Sequence, residues 1–178
     1  MSESLILVQL GSSFDYPVEE LVDKIAQRFS DYRVRTLKPL DTPVMAFDSF
    51  RGQYHSTRVL AFLEEYAKTV PADYILGVAS FDLYVPGMNF VFGEARCPGR
   101  VAVISTHRLK AKDFNEPNLL GSRVDKEAVH EIGHMMGLRH CSEKACVMYF
   151  SERLAHTDRK KDSFCSECER KMKWVEIE

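Results

Sequence analysis

Residues 130–140, His130-Glu131-Ile132-Gly133-His134-Met135-Met136-Gly137-Leu138-Arg139-His140, decide how this chain is read. His130 and His134 are four positions apart, so on an α-helix they share one face, about 6 Å apart along the axis. Neutral imidazole nitrogens at that separation suit a single zinc ion. Glu131 adjoins the first histidine, where its carboxylate can reach a metal-bound water without displacing either ring, the place of a general base. His140 would fall on the wrong side of a continuing helix. Gly137 removes the difficulty, because it can take a left-handed conformation, end the helix and bend the chain back toward the same ion. Three protein ligands plus one position for water is the arrangement of a catalytic zinc. A shuffled chain would show this whole pattern in roughly a few cases in 100,000.

Around this stretch the periodicity predicts a long helix over 122–138, with Ser122 as N-cap and Asp125 three residues on. Val124, Ala128, Ile132, Met135 and Met136 form its core-facing side. Upstream, residues 4–10 are rich in Leu, Ile and Val and read as a buried strand. Residues 16–29 carry apolar positions at helical spacing, and 32–37 alternate as a second strand. Strand, helix, strand in this order is a βαβ unit with parallel strands and a right-handed crossover. A second amphipathic helix is expected over 57–70. Strands follow at 74–78, 90–95 and 101–106, joined by the turn signals Pro86-Gly87 and Pro98-Gly99. These three read as hairpin neighbours, so the sheet should be mixed and the class α/β (α+β). Residues 113–121 read as loop, and 154–159 as a weak helix.

Four of the five cysteines crowd near the C-terminus as Cys141-x4-Cys146 and Cys165-x2-Cys168. Two close thiolate pairs separated by a loop are the pattern of a closed, tetrahedral structural zinc site. Reduced thiols, a redox pair at Cys165 and Cys168, and an iron–sulfur cluster are the alternatives. The fifth, Cys97, reads as a small buried hydrophobe. Because Cys141 follows His140 directly, a zinc on the thiolates would also pin the third histidine. Met148, on a turn-prone stretch just beyond, reads as packing or, more specifically, as an apolar floor beneath the metal, the Met-turn that follows such a histidine motif in metzincins.

Across the 178 residues, 24 Lys+Arg oppose 26 Asp+Glu, a formal charge of −2, so a general polyanion binder is not expected. No apolar run approaches the roughly 18 residues of a membrane span. The N-terminal stretch has an acid where a signal peptide needs base. With the cysteine usage, this leads to the expectation of a cytoplasmic protein in a reducing compartment.

The combined pattern, His-Glu-x-x-His-x-x-Gly-x-x-His-Cys-x4-Cys-x-Met followed by Cys-x-x-Cys, resembles the archaemetzincins, a family of zinc metalloproteases. The resemblance is dense from His130 to Cys168 and upstream rests on size and element order. It implies a metzincin-like fold, with a mixed twisted sheet, an active-site helix at the cleft and a small zinc-stabilised C-terminal lobe. The lobes would be 1–137 and 138–178 of one catalytic domain. It further implies two zinc ions: a catalytic one on His130, His134 and His140, and a structural one on Cys141, Cys146, Cys165 and Cys168. Glu131 would be the base and Met148 the Met-turn residue. The expected activity is peptide-bond hydrolysis through a zinc-bound water, on a peptide or protein substrate, by a monomer. The edge strand at 89–95 would align the substrate. Tyr84 and Tyr149 are packing residues first and oxyanion partners second. The rival reading is a non-catalytic or very selective zinc protein acting as a protein- or nucleic-acid-binding module. It draws on Arg153, Arg159, Lys160, Lys161, Arg170, Lys171 and Lys173, otherwise a solvated charged face interleaved with acids. The remaining histidines, His55, His107 and His156, read as surface or hydrogen-bonded residues rather than ligands, with His156 the candidate for an accidental metal contact.

Overall fold

A computed structural model describes residues 3–12, 16–110 and 119–175. The first strand, β1 (Ser4–Leu10), is buried on both faces, as its unbroken Leu/Ile/Val run requires. The helix α1 (Val18–Arg28) buries Val18, Leu21 and Ile25 and leads into β2 (Arg33–Thr36), which pairs with β1 in parallel. The βαβ unit is therefore present.

Next come two short strands, β3 (Phe47–Asp48) and β4 (Gln53–His55), and the helix α2 (Ser56–Ala67). Four strands follow: β5 (Tyr74–Ala79), β6 (Leu83–Tyr84), β7 (Gly93–Ala95) and β8 (Val101–Ser105). The main sheet has the order β2-β1-β5-β8-β7, all parallel except for β7, which runs antiparallel to β8 at one edge. The sheet is mixed, but not as a run of hairpin neighbours. β5 lies inside, parallel to both β1 and β8, because its side chains are apolar on both faces. The strand expected over 90–95 shrinks to Gly93–Ala95, since Val91 bridges to Leu83 of β6 instead of extending the ladder on β8. A small second sheet, β3-β4-β6, escaped the sequence reading because strands of two and three residues carry no usable period.

Side chains alternate across the main sheet. Leu5, Leu7, Leu76, Val78, Ala102 and Ile104 pack with α1 and the long helix α3 (Leu119–Met135). Ile6, Val8, Ile75, Ala79, Val101 and Val103 pack with α2 on the other face. The expected loop over 113–121 is corrected at its end: 119–121 are helical, while 113–118 lie outside the described residues. Ser122 is thus inside α3 rather than its N-cap, and Asp125 ion-pairs with Lys24 of α1 at 2.5 Å instead of capping.

The C-terminal part adds α4 (Leu154–Arg159) and α5 (Ser166–Val175), the latter a helix that the sequence reading missed. Its Met148, Phe164 and Cys168 join the same apolar core as α1 and α3. Buried Arg123 of α3 grips Asp158 of α4 through two bonds of 2.6 and 2.7 Å. No helix among the described residues is long and apolar enough to cross a membrane.

Candidate metal centre

α3 ends where the three histidines must converge. The Gly137 amide bonds the His134 carbonyl at 2.9 Å and the Leu138 amide bonds the Gly133 carbonyl at 2.9 Å, the paired bonds of a Schellman turn. Gly137 itself has φ +91°, a backbone that only glycine adopts cheaply. The chain doubles back, and the ligand atoms of His130, His134 and His140 come within 4.8 Å of one another. His130 donates from Nδ1 to the Val147 carbonyl at 2.7 Å, and His134 from Nδ1 to the Leu138 carbonyl at 2.6 Å. That fixes both tautomers and turns both Nε2 lone pairs inward, as carbonyl partners do for metal-bound histidines. Those two Nε2 atoms face each other at 3.1 Å. Two lone pairs at that separation repel unless a cation lies between them, and tetrahedral Zn–N bonds give an N···N edge of about 3.3 Å. Burial lowers the pKa of His130 and His140 and takes His134 down to about 4, which favours the neutral rings that a metal ion would need.

Glu131 is buried, and burial, with the negative charges of Glu127 and Glu94 behind it, raises its carboxyl well above the usual range. It reaches the cleft because Gly93 has no side chain: a Cβ there would lie 2.7 Å from Glu131 Oε1. Three further carboxylates, Glu94, Glu127 and Glu152, line the same cleft of about 320 Å³. Glu94, on the edge strand β7, accepts bonds from Ser56 and from Thr57 Oγ1 at 2.9 Å. Glu127 accepts from Thr157 Oγ1 at 2.9 Å and from Lys160 Nζ at 3.0 Å. Lys160 is wholly buried, a correction to its reading as part of a solvated charged face. Sequence carried one faint sign of Glu127, a carboxylate one turn before Glu131 on the same helix face.

The four cysteines also converge. Their sulfurs all lie within 4.8 Å of one another, with Cys141–Cys165 and Cys146–Cys168 each at 3.8 Å. A disulfide needs about 2.05 Å, whereas a tetrahedron of 2.3 Å Zn–S bonds has edges of about 3.8 Å. The Glu143 amide donates to Cys141 Sγ at 3.4 Å and the Cys165 amide to Cys146 Sγ at 3.3 Å. Burial raises Cys146 and Cys168, while the Cys168 amide pulls Cys165 down. A divalent cation is the group that lets four crowded thiols ionise together.

Met148 is fully buried and packs on α3 at Gly133, where a Cβ would meet its sulfur at 2.6 Å. Cys97 is exposed, not buried: its thiol bonds the Leu138 carbonyl at 3.4 Å on the cleft wall. Neither Tyr84, which donates to Asp48 at 2.7 Å, nor Tyr149 lines the cleft. His156 is engaged locally by Arg153 at 3.2 Å and by the Glu152 amide at 3.3 Å.

Known proteins resemble this chain along most of its length. Residues 1–174 match the model of peptidase family M54. An archaemetzincin of Methanopyrus kandleri is 43% identical over 85% of both chains. Its crystal structure superposes with a TM-score of 0.89, covering 99% of this chain and 97% of that one at 36% identity over the longer alignment. The archaemetzincin of Archaeoglobus fulgidus, solved with malonate, gives a TM-score of 0.82 at 42% identity, covering 94% and 99%. A zinc-dependent peptidase of Methanocorpusculum labreanum gives 0.82 at 30% identity, with the same coverage.

Proposed function

The chain belongs to peptidase family M54, the archaemetzincins, and is a zinc metallopeptidase; from that premise we propose that His130, His134 and His140 hold the zinc at which peptide bonds are cut, with Glu131 as general base. The observation that carries this reading is the pair of inward Nε2 atoms at 3.1 Å beside a buried carboxylate. Zinc, when bound, supplies a Lewis acid that polarises the scissile carbonyl and acidifies water.

The protein's own groups do the rest. Strand β7 is the sheet edge, and Gly93, Glu94 and Ala95 border the cleft, so an extended peptide pairs there with backbone groups that no other strand uses. Ser56 and Thr57 hold Glu94, and Arg96 grips Glu64 of α2 at 2.8 and 3.1 Å, which together fix this edge against α2. Glu131 accepts the proton of the attacking water and delivers it to the leaving amine. Met148 closes the space beneath the histidine helix. Cys141, Cys146, Cys165 and Cys168 hold a second, structural zinc, giving two ions per chain, and a cytoplasmic setting keeps those thiols reduced.

The test is turnover of a peptide library by the zinc-loaded protein beside Glu131→Ala. Loss of cleavage in the variant, with zinc content unchanged, supports the assignment; equal cleavage by both removes Glu131 from the mechanism.

A further inference from the structure

Arg139 and His140 line both the cleft and a second groove of about 630 Å³, walled by the Gly137–Ser142 bend and the first turns of α5. The two cavities therefore meet at a metal-site residue and one arginine. Their charges differ. The cleft presents Glu94, Glu127, Glu131 and Glu152 against the single cation Arg139. The groove presents Arg139, Arg170 and Lys171 against one carboxylate, Glu167, and two sulfurs of the cysteine cluster, Cys141 and Cys168. Lys171 is already paired with Glu167 at 2.7 Å. Arg139 and Arg170 are exposed and form no hydrogen-bonded ion pair among the described residues. Two exposed guanidiniums outside any hydrogen-bonded ion pair thus line a groove that borders the cleft.

Guanidinium groups are planar forks that match a carboxylate through two parallel bonds. Arg139 lines both cavities, so a polypeptide that extends from the cleft toward the groove meets that residue first. We propose that this groove is a substrate subsite for a polypeptide carboxylate, with Arg139 and Arg170 as its specificity-determining residues. The carboxylate comes from an Asp or Glu side chain, or from the chain terminus, lying a few residues to one side of the scissile bond. The proposal rests on the peptidase reading above, and it deepens that reading by naming a substrate class. Adjacency to the proposed peptidase cleft favours a polypeptide over a nucleic acid. Each phosphate backbone charge needs its own cation, and the groove offers only two that are unpaired.

The test separates binding from turnover. Zinc-loaded, full-length Glu131→Gln protein is titrated with labelled alanine-based peptides carrying one Glu, Gln or Lys at successive positions, each made as free acid and as C-terminal amide. At low ionic strength the best-placed Glu should bind about threefold to fivefold more tightly than Gln, the range of an exposed ion pair. The preference should fade above about 0.15 M salt. It should vanish in Arg139→Gln/Arg170→Gln, and Arg170→Glu should turn it toward Lys. Free acids outcompeting amides without any Glu would identify the chain terminus as the source of the carboxylate. Zinc content and melting temperature are followed for each variant; if the double variant loses metal, Arg170→Gln alone carries the comparison. Equal binding of Glu and Gln peptides, or a preference that survives the double variant, overturns the proposal. So does a mixed polynucleotide that displaces the peptide and no longer binds the double variant. Charge-selective binding by a protein whose wild type cleaves no peptide keeps the groove and removes the mechanism. Cleavage that is indifferent to charge does the reverse.

Discussion

A methyl group at Gly93 would lie 2.7 Å from both Glu131 Oε1 and the Val103 carbonyl, and neither can retreat without moving a strand or the proposed base. Gly93→Ala should lower peptide turnover by about tenfold to a hundredfold, the cost of misplacing a reacting group by an ångström, while zinc content stays constant. At Gly133 a Cβ would meet Met148 Sδ at 2.6 Å and Phe164 Cε1 at 3.0 Å in the packed core. Gly133→Ala should therefore cost about 1–3 kcal/mol in a denaturant melt, an overpacking penalty. Neither demand was visible beforehand, because each arises between residues distant in sequence. The histidines make a prediction about acid. His134 titrates near 4 instead of 6.5, so between those values the unfolded chain binds a proton there that the folded one refuses. This group's share of stability is intact above 6.5 and is lost as the pH falls toward 4. For the same reason protons compete weakly for the ring, and zinc titrations at about pH 5.5 should still fill the histidine site.

Among the elements, α3 and its bend were the most legible. Histidines four apart and a glycine three beyond have one helical solution, and the structure adopts it with a Schellman turn. Its start was misplaced because Ser122 and Asp125 look like a capping box, whereas Asp125 is used by Lys24 of another helix. Replacing Gly137 with Ala forces a side chain into the left-handed region, which costs about 1–2 kcal/mol. The bend should loosen, and zinc affinity at the histidines should fall in a chelator competition. Between α3 and α4 the buried pair Glu127–Lys160 was illegible, since nothing in a Lys-Lys-Asp run marks one lysine as interior. Lys160→Met leaves Glu127 buried without its cation and should destabilise by about 3–5 kcal/mol in thermal or urea unfolding. Adding Glu127→Gln should recover most of that loss, because the stranded charge is then gone.

For the molecule as a whole, the βαβ start and the central strands could be read from apolar runs, and the cysteine spacing anticipated the sulfur cluster. The order of strands could not, because register is decided by which faces are covered, and α2 and α3 cover opposite ones. Elemental analysis of the full-length protein should find two zinc ions per chain. Exhaustive chelation should lower the melting temperature and expose the C-terminal segment to proteases, with the cysteine site accounting for most of the loss. Residues 146–148 join these effects. Cys146 belongs to the sulfur cluster, the carbonyl of Val147 orients His130, and Met148 seats against the helix that carries His130 and His134. Three adjacent residues would thus serve both proposed coordination spheres, so the two could not be provisioned independently. Metallation should proceed in sequence, sulfur before imidazole, and a single scarcity of zinc would silence chemistry and architecture together.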